Sequence, residues 1–236
     1  MSKDLPCWAV IPATGTGSRM RADRPKQYLP LGSKTIIEQT LDNLLAFPAI
    51  QGAVLVLHPD DRHWSRLAYR HDKPIVTCHG GDQRFHSVLN GLQELSERIA
   101  EDAIVMIHDA VRPFVLHEDL DRLLQTVQQS DDGAILAVPV ADTLKLAQDS
   151  DKISHTTSRD NLWRAYTPQA FRLQLIQQAL VHVIEQGLQV TDDASAMEQL
   201  GFHPHLVNSD NLNIKITHPG DLPLAELLLQ QRLHQR

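Results

Sequence analysis

Residues 8–20 read WAVIPATGTGSRM, and this stretch indicates how the rest of the chain is organised. Its first part, 8–12, is a short apolar run, which is typical of a buried strand. The run leads directly into Gly15 and Gly17, which let backbone N–H groups approach an anion closely. The stretch therefore predicts a strand that opens into a phosphate-binding loop.

Similar apolar runs recur and alternate with segments of helical periodicity. The other strand candidates are 53–58, 75–78, 103–108 and 134–139, with weaker ones at 204–207 and 213–216. Helices are predicted from the capping-box spacing of Thr35 and Glu38 and from apolar stripes that begin at Glu118, near Phe171 and after Pro219. Because the strands are almost continuously apolar, we expect an α/β fold with a mostly parallel sheet covered on both faces.

The length of 236 residues favours one domain over two, since no linker is visible. One segment, at about 141–164, is polar and shows little periodicity. It is either a long surface loop or a hairpin arm that packs on another subunit. We favour the arm, because structureless loops of this length are uncommon unless they are functional.

Composition excludes several classes of protein. The net charge of −7, with basic residues scattered along the chain, makes a nucleic-acid partner unexpected. The longest apolar runs fall far short of the roughly 20 residues that span a bilayer, so no membrane association is expected. Two cysteines are too few for a disulfide framework, which favours the reducing cytoplasm.

Cations follow the first glycine loop closely. Arg19 and Lys26 lie just behind the glycines, whereas the Gly-Lys-Ser/Thr ending of a Walker loop is missing, and Met20 occupies the third glycine position of a dinucleotide fingerprint. A triphosphate that undergoes substitution gains charge on its leaving group, which Arg and Lys stabilise. The pattern favours a triphosphate substrate; a glycine turn with surface cations is the alternative.

A second glycine pair follows the strand candidate 75–78. Gly80 and Gly81 would let a base or ribose lie against the backbone, with Ser87 as a further contact. Asp82 would either join this nucleoside site or cap the next helix.

A carboxylate and a guanidinium follow the strand candidate 103–108. Ligands of open α/β sheets bind beyond the carboxyl ends of the strands, and Mg²⁺ needs only one or two carboxylates beside phosphate oxygens. Asp109 is therefore the metal candidate, and Arg112 would hold a second anionic substrate. A structural Asp–Arg turn pair is the alternative.

Weaker polar clusters surround Thr143, Arg159 and Thr191, each of which is equally consistent with a cap or a solvated charge. Lys215 is more informative, because alternation in a short strand would direct it away from Ile214 and Ile216 and toward a phosphate.

Taken together, the motifs resemble those of the 2-C-methyl-D-erythritol 4-phosphate cytidylyltransferases of the non-mevalonate isoprenoid pathway, over residues of about 8 to 230. The motifs are PATGTGSRM, RPKQY, GGDQRFHSV, HDAVRP, ADTLK, SRDNLW, YTPQAF, VTDDAS and NIKIT. The resemblance implies a Rossmann-like three-layer domain, 1–236, with an extended β-arm exchanged in a homodimer. It also implies CTP, a polyol phosphate acceptor, and Mg²⁺ or another divalent cation such as Mn²⁺.

The resemblance also implies roles for individual residues. Catalysis would fall to Arg19, Lys26 and Lys215. The CTP site would contain Ala13, Thr14, Gly15, Gly17, Gly80, Gly81, Asp82 and Ser87. The acceptor site would contain Asp109, Arg112, Thr143, Thr191, Lys215 and the partner's Arg159, with Asp109 also binding the metal.

The chain departs from the family pattern at Thr14, where alanine is usual, and in the segment 191–193, which has Asp where glutamate is common. Neither change removes a charge that has a chemical role. The expected reaction is transfer of CMP from CTP to 2-C-methyl-D-erythritol 4-phosphate with release of pyrophosphate. The alternatives are a cytidylyltransferase for another polyol phosphate such as ribitol 5-phosphate, a nucleotide-binding protein without turnover and, more distantly, a nicotinamide-dependent oxidoreductase.

Overall fold

The computed structural model describes residues 6–15, 20, 22–148 and 151–234. The strands are β1 (Cys7–Ala13), β2 (Pro30–Leu31), β3 (Lys34–Thr35), β4 (Ile50–Leu57), β5 (Ile75–His79), β6 (Ile104–Ile107), β7 (Ala134–Pro139), β8 (Leu144–Gln148), β9 (Lys152–Thr157), β10 (Trp163–Arg172) and β11 (His205–Asn208). The α-helices are α1 (Ile36–Leu45), α2 (Trp64–Leu67), α3 (Arg84–Ser96), α4 (His117–Gln129), α5 (Leu173–Glu185), α6 (Asp193–Gln199) and α7 (Asp221–His234).

The main sheet has seven strands in the order β11-β7-β10-β6-β1-β4-β5. The pairs among β6, β1, β4 and β5 are parallel, as is the pair of β7 with β11. Strand β10 runs antiparallel to both of its neighbours, β6 and β7. The expectation of a mostly parallel sheet is confirmed.

Helices cover both faces of this sheet. Alternate residues of β1 point to opposite sides, so Ile11 packs with α1 and α4 while Val10 packs with α3, α5 and α6. A third apolar cluster joins α7 to Phe114 and Ile216. The three-layer α/β architecture expected from the sequence is therefore present.

Local signals in the sequence placed several elements correctly. The hydroxyl of Thr35 accepts the backbone N–H of Glu38, whose carboxylate accepts the N–H of Thr35, and this capping box begins α1. The five stronger strand candidates correspond to β1, β4, β5, β6 and β7, and the weaker candidate at 204–207 corresponds to β11.

One predicted strand was wrong, and one strand was not predicted. No strand forms at 213–216, because the N–H of Ile216 donates to the carbonyl of Val111, in the loop after β6, instead of pairing with a sheet edge. The helix expected near Phe171 is confirmed as α5, which begins at Leu173, but Phe171 itself belongs to β10, which the sequence pattern did not predict. Thr and Pro residues interrupt the apolar pattern of β10, and its pairing with two neighbours decides its conformation.

The segment 141–164 contains a hairpin in which β8 pairs antiparallel with β9. This pair forms a sheet of its own, separate from the main sheet. Most of its side chains are exposed, including Leu146 at 52% and Ile153 at 64%. Within the described ranges of the chain, no helix combines the length and the apolar character that crossing a membrane would need.

Candidate active site

A cleft of about 670 Å³ lies at the carboxyl ends of β1, β4, β5 and β6. This is the edge at which parallel α/β sheets bind their ligands. The described residues that line it are Pro12, Ala13, Thr14, Gly15, Lys26, Gln27, His58, Pro59, Gly80, Gly81, Asp82, Gln83, Arg84, Asp109, Ala110, Val111, Lys215 and Thr217.

The first wall of the cleft is the loop after β1. Gln27 is buried in a 3₁₀ turn, and its Nε2 donates to the carbonyl of Ala13 at 2.7 Å, which fixes the end of the strand. The neighbouring Lys26 lines the cleft, and its Nζ donates to the carbonyl of Ile216 at 3.2 Å. The ammonium group is thereby held between this loop and the segment that carries Lys215.

The second wall is the turn between β5 and α3. The N–H of Gly80 donates to the carbonyl of Leu57 at 2.8 Å, which continues the pairing of β5 with β4 into the turn. The Oγ of the fully buried Ser87 accepts the N–H of Gly81 at 3.2 Å. Asp82 does not cap α3, because Gln83 occupies the N-cap position and no side-chain cap bond forms there.

Asp109 lies at the base of the cleft among three cations. Its Oδ2 is 2.9 Å from the Lys215 Nζ and 3.1 Å from the Arg112 Nε. Its Oδ1 is 3.8 Å from the Arg84 Nε. Burial acts to raise the pKa of the Asp109 carboxyl, but the three cations outweigh burial and hold that pKa well below its usual value. The carboxylate is therefore ionised.

Arg84 links this cluster to α6. Its guanidinium binds the fully buried Asp193 in a two-pronged geometry, Nη1 to Oδ1 at 2.9 Å and Nη2 to Oδ2 at 2.8 Å. Burial acts to lower the pKa of Arg84, but the Asp193 carboxylate raises it above its usual value. Arg84 thus brings a fixed positive charge to the cleft wall.

A buried chain of hydrogen bonds holds the backbone around Asp109. Burial lowers the pKa of His108 to about 4, so the ring is neutral near pH 7. Its Nε2 donates to the carbonyl of Arg112 at 2.9 Å, which leaves Nδ1 to accept the hydroxyl of Thr167 at 3.1 Å. The Thr167 Oγ1 in turn accepts the N–H of Asp109 at 3.0 Å.

The structure brings many of the predicted residues together and leaves others apart. Ala13, Thr14, Gly15, Lys26, Gly80, Gly81, Asp82, Asp109 and Lys215 line the one cleft. Ser87 and Arg112 are buried directly behind its walls, and Arg112 also donates to the carbonyl of Asn213 at 2.7 Å. Gly17 and Arg19 lie outside the described residues.

Three of the predicted residues are exposed, and none is among the described residues that line the cleft of their own chain. Thr143 and Arg159 lie at the two ends of the β8–β9 hairpin, where Arg159 donates to the carbonyl of Ala141. Thr191 precedes α6, and its N–H donates to the Oγ of Ser195 at 3.1 Å.

The lining residues to which the sequence assigned no role include Gln27, Arg84 and His58. Gln27 belongs to the motif RPKQY, but its side chain donates to the backbone carbonyl of Ala13. Arg84 begins α3 shortly after the glycine pair. Its ion pair with Asp193 joins residues that are distant in the sequence, so the sequence pattern did not predict it. His58 ends an apolar run, which gave no indication that it faces a cleft.

Comparison with known proteins identifies the family. The family model for 2-C-methyl-D-erythritol 4-phosphate cytidylyltransferase matches residues 7–231. A protein of that name from Yersinia pseudotuberculosis serotype O:1b (strain IP 31758) is 49% identical over 225 residues, which cover 95% of this chain and 92% of the relative. A protein of the same name from Hahella chejuensis (strain KCTC 2396) is 42% identical over 228 residues, covering 97% and 95%.

The fold is likewise similar to solved structures. The crystal structure of 2-C-methyl-D-erythritol 4-phosphate cytidylyltransferase from Francisella tularensis has a TM-score of 0.82 at 36% identity, covering 94% of this chain and 99% of that one. The corresponding structure from Thermus thermophilus has a TM-score of 0.78 at 29% identity, with coverage of 94% and 98%. Sequence, fold and cleft agree: the chain belongs to the 2-C-methyl-D-erythritol 4-phosphate cytidylyltransferase family.

Proposed function

We propose that the protein transfers the cytidylyl group of CTP to 2-C-methyl-D-erythritol 4-phosphate, releasing pyrophosphate and forming 4-diphosphocytidyl-2-C-methyl-D-erythritol. The observation that carries this proposal is that Lys26 and Lys215 converge, with Asp109, on a cleft that is also lined by two glycine turns. Glycine turns suit a nucleotide, and two ammonium groups suit two sets of phosphate oxygens.

In the proposed reaction, a phosphate oxygen of the acceptor attacks the α-phosphorus of CTP in line with the leaving pyrophosphate. A phosphorus–oxygen bond to the acceptor forms as the bond to the β-phosphate oxygen breaks. The attacking phosphate is already ionised, so no general base is required. The protein supplies orientation and neutralises the charge that develops on the phosphoryl oxygens and the leaving group.

The two walls of the cleft would bind different parts of CTP. Gly80, Gly81, Asp82 and Ser87 would hold the nucleoside, while Ala13, Thr14, Gly15 and Gly17 would hold the phosphates. Lys26, together with Arg19 from the same loop, would stabilise the departing pyrophosphate. Lys26 is suited to this role because its Nζ is anchored on the carbonyl of Ile216 and reaches the cleft.

The acceptor would bind around Asp109. Lys215 and Arg112 both contact the Asp109 carboxylate, which sets two cations beside each other without strong mutual repulsion. We propose that they bind the acceptor phosphate. Thr143 and Thr191 would contact its hydroxyl groups, with the partner's Arg159 completing the site.

A divalent cation, Mg²⁺ or Mn²⁺, is proposed as cofactor, with Asp109 as its protein ligand. Within the described part of the chain no three His, Cys, Asp or Glu side chains form a metal cluster, so the protein alone does not build a cage. The Asp109 Oδ1 fits the ion, because its nearest cation contact is at 3.8 Å and Mg²⁺ accepts a single carboxylate when phosphates and water complete its shell. The bound ion would neutralise phosphate charge.

We further propose a homodimer formed through the β8–β9 hairpin. Leu146 and Ile153 are apolar and more than half exposed on it, which suits a surface that a second copy covers. Arg159 and Thr143 lie at its base and are not among the described residues that line their own cleft. An arm that crosses to a second copy would deliver Arg159 to the partner's cleft.

We also propose that the protein acts in the cytoplasm. Cys7 and Cys78 are both free thiols, and free thiols persist in reducing compartments. Fractionation of the source cells should recover the protein with cytoplasmic markers, and recovery in an oxidising compartment would contradict this location.

A pyrophosphate-release assay tests the reaction. With CTP and Mg²⁺, we expect release on addition of 2-C-methyl-D-erythritol 4-phosphate, none on addition of ribitol 5-phosphate, and loss of release with EDTA that excess Mg²⁺ restores. Release only with ribitol 5-phosphate would replace the acceptor. Tight CTP binding with no release from either acceptor would indicate a nucleotide-binding protein without turnover.

A further inference from the structure

Thr14 connects the two walls of the cleft. It is half-buried directly after β1, and its Oγ1 lies 3.3 Å from the Oγ of Ser87, which is 73 residues away in the sequence on α3. Ser87 is fully buried, so the surrounding residues fix the position of its hydroxyl group. The contact therefore joins the loop after β1 to the turn after β5.

The Ser87 Oγ makes several other contacts. It accepts the N–H of Gly81, and it lies 3.2 Å from the carbonyl of Gln83 and 3.3 Å from the carbonyl of Gly81. Each hydroxyl can donate or accept, so either Thr14 or Ser87 supplies the proton of the hydrogen bond that they share. Removing the Thr14 hydroxyl breaks this bond in both cases.

The methyl group of Thr14 makes a second connection. A Cβ added to Gly80 would lie 2.3 Å from the Thr14 Cγ2, so the methyl group packs directly over the Gly80 backbone. Thr14 thus contacts the second wall through its hydroxyl and its methyl group, and both contacts involve residues assigned to the nucleoside site.

We propose that Thr14 is a positioning residue. Its side chain would act as a clamp that holds the start of the loop after β1, proposed to bind the phosphates, at a fixed distance from the turn between β5 and α3, proposed to bind the nucleoside. This inference rests on the proposed function, because it needs a ligand that contacts both walls. A nucleoside triphosphate spans them, and holding both walls in place before binding reduces the ordering that binding requires. A ligand that contacts only one wall gains little from the clamp.

The test compares ligands that span the cleft with ligands that do not. Dissociation constants would be measured by calorimetry for CTP, and by NMR titration for cytidine and inorganic tripolyphosphate. The variant Thr14→Val keeps the shape and the methyl packing but removes the hydroxyl. We expect it to weaken CTP binding by about threefold to tenfold, the value of one hydrogen bond, and to change binding of the two fragments by less than about twofold.

Control variants separate the clamp from a local effect. Thr14→Ser keeps the hydroxyl and should bind CTP more tightly than Thr14→Val does. In a Ser87→Ala background, Thr14→Val should have less effect than it has in the native chain, because the partner of the Thr14 hydroxyl is already gone. If Thr14→Val does not fold, as judged by its thermal transition, the pair Thr14→Ser and Thr14→Ala gives the same comparison.

The outcomes are distinct. Unchanged CTP binding by Thr14→Val, or equal weakening of CTP and tripolyphosphate, would overturn the clamp while leaving the proposed function intact. Failure of the native protein to bind CTP would overturn both.

Discussion

At the residue scale, the charges around Asp109 determine what the cleft can bind. Lys215, Arg112 and Arg84 surround the Asp109 carboxylate, and Asp193 pairs with Arg84, so the cluster holds three cations and two carboxylates. The chain as a whole carries −7, so this local excess of cations is a property of the cleft and not of the composition. Such a site attracts anions to one place on an otherwise acidic protein.

Replacing Lys26 tests the proposed stabilisation of the leaving group. Lys26→Ala should lower kcat by roughly a hundredfold, about 3 kcal/mol, by analogy with the loss of an oxyanion-hole donor, and should change the KM for CTP less. Steady-state pyrophosphate release measures both constants. Lys34→Ala is the matched control, since Lys34 pairs with Asp42 on the surface and is not among the described residues of the cleft lining. An intact kcat would remove Lys26 from this role.

A glycine substitution tests packing at single-residue resolution. Gly133 has φ +81°, and a Cβ there would lie 2.2 Å from the Phe171 Cδ1. Gly133→Ala should therefore lower the free energy of unfolding by about 2 to 4 kcal/mol, from backbone strain and overpacking together.

Gly187 provides the control for this experiment. It has φ +62° with nothing within 4 Å of an added Cβ, so Gly187→Ala should lose only the strain, about 1 kcal/mol. Urea denaturation measures both variants. Equal losses would show that contact with Phe171 contributes nothing.

At the scale of elements, the cleft depends on helices that meet through ion pairs as well as through apolar packing. Arg84 begins α3 and Asp193 begins α6, so their two-pronged contact joins the starts of two helices on one face of the sheet. The position of Arg84 beside Asp109 therefore depends on α6, although α6 contributes no described residue to the cleft lining.

Breaking this pair should destabilise the protein. Asp193→Asn removes the two-pronged partner of Arg84, whose side chain is 32% exposed and would keep only its 3.8 Å contact with Asp109, so the free energy of unfolding should fall by roughly 2 kcal/mol. Adding Arg84→Met should recover part of that loss, because the weakly paired guanidinium is then gone. Asp131→Asn breaks the exposed pair with Arg172 and should change stability by less than about 1 kcal/mol. A similar small change for Asp193→Asn would contradict the structural role.

At the scale of the whole molecule, the hairpin is a part that the single chain leaves exposed. Its apolar side chains Leu146 and Ile153 are uncovered, and Arg159, which is assigned to the acceptor site, is not among the described residues that line the cleft of its own chain. A second copy would cover the apolar side chains, and its cleft would accept Arg159. The proposed dimer thus explains two features that one chain does not.

Mixing inactive subunits tests this arrangement. In a heterodimer of Arg159→Ala with Lys26→Ala, one of the two clefts has its own Lys26 and the partner subunit's Arg159, so activity should return to about half that of the native dimer. Differently tagged subunits, purified in tandem, would verify the heterodimer before pyrophosphate release is measured. If verified heterodimers remain inactive, Arg159 acts within its own subunit.

Sequence alone determined the features that local chemistry controls. The strand at 8–12, the capping box of α1 and the order of the motifs could be predicted, because each depends on residues that are near neighbours in the chain. The motif order was also sufficient to predict the family.

Only the tertiary structure decided how distant parts meet. Residues 163–172 become the antiparallel strand β10 because β6 and β7 lie on either side of them. The segment that contains Lys215 forms no strand, because Ile216 donates to the carbonyl of Val111 in the loop after β6. The contact of Thr14 with Ser87 has the same origin. Long-range pairing depends on all the partners at once, and a pattern read along one segment does not contain its partners.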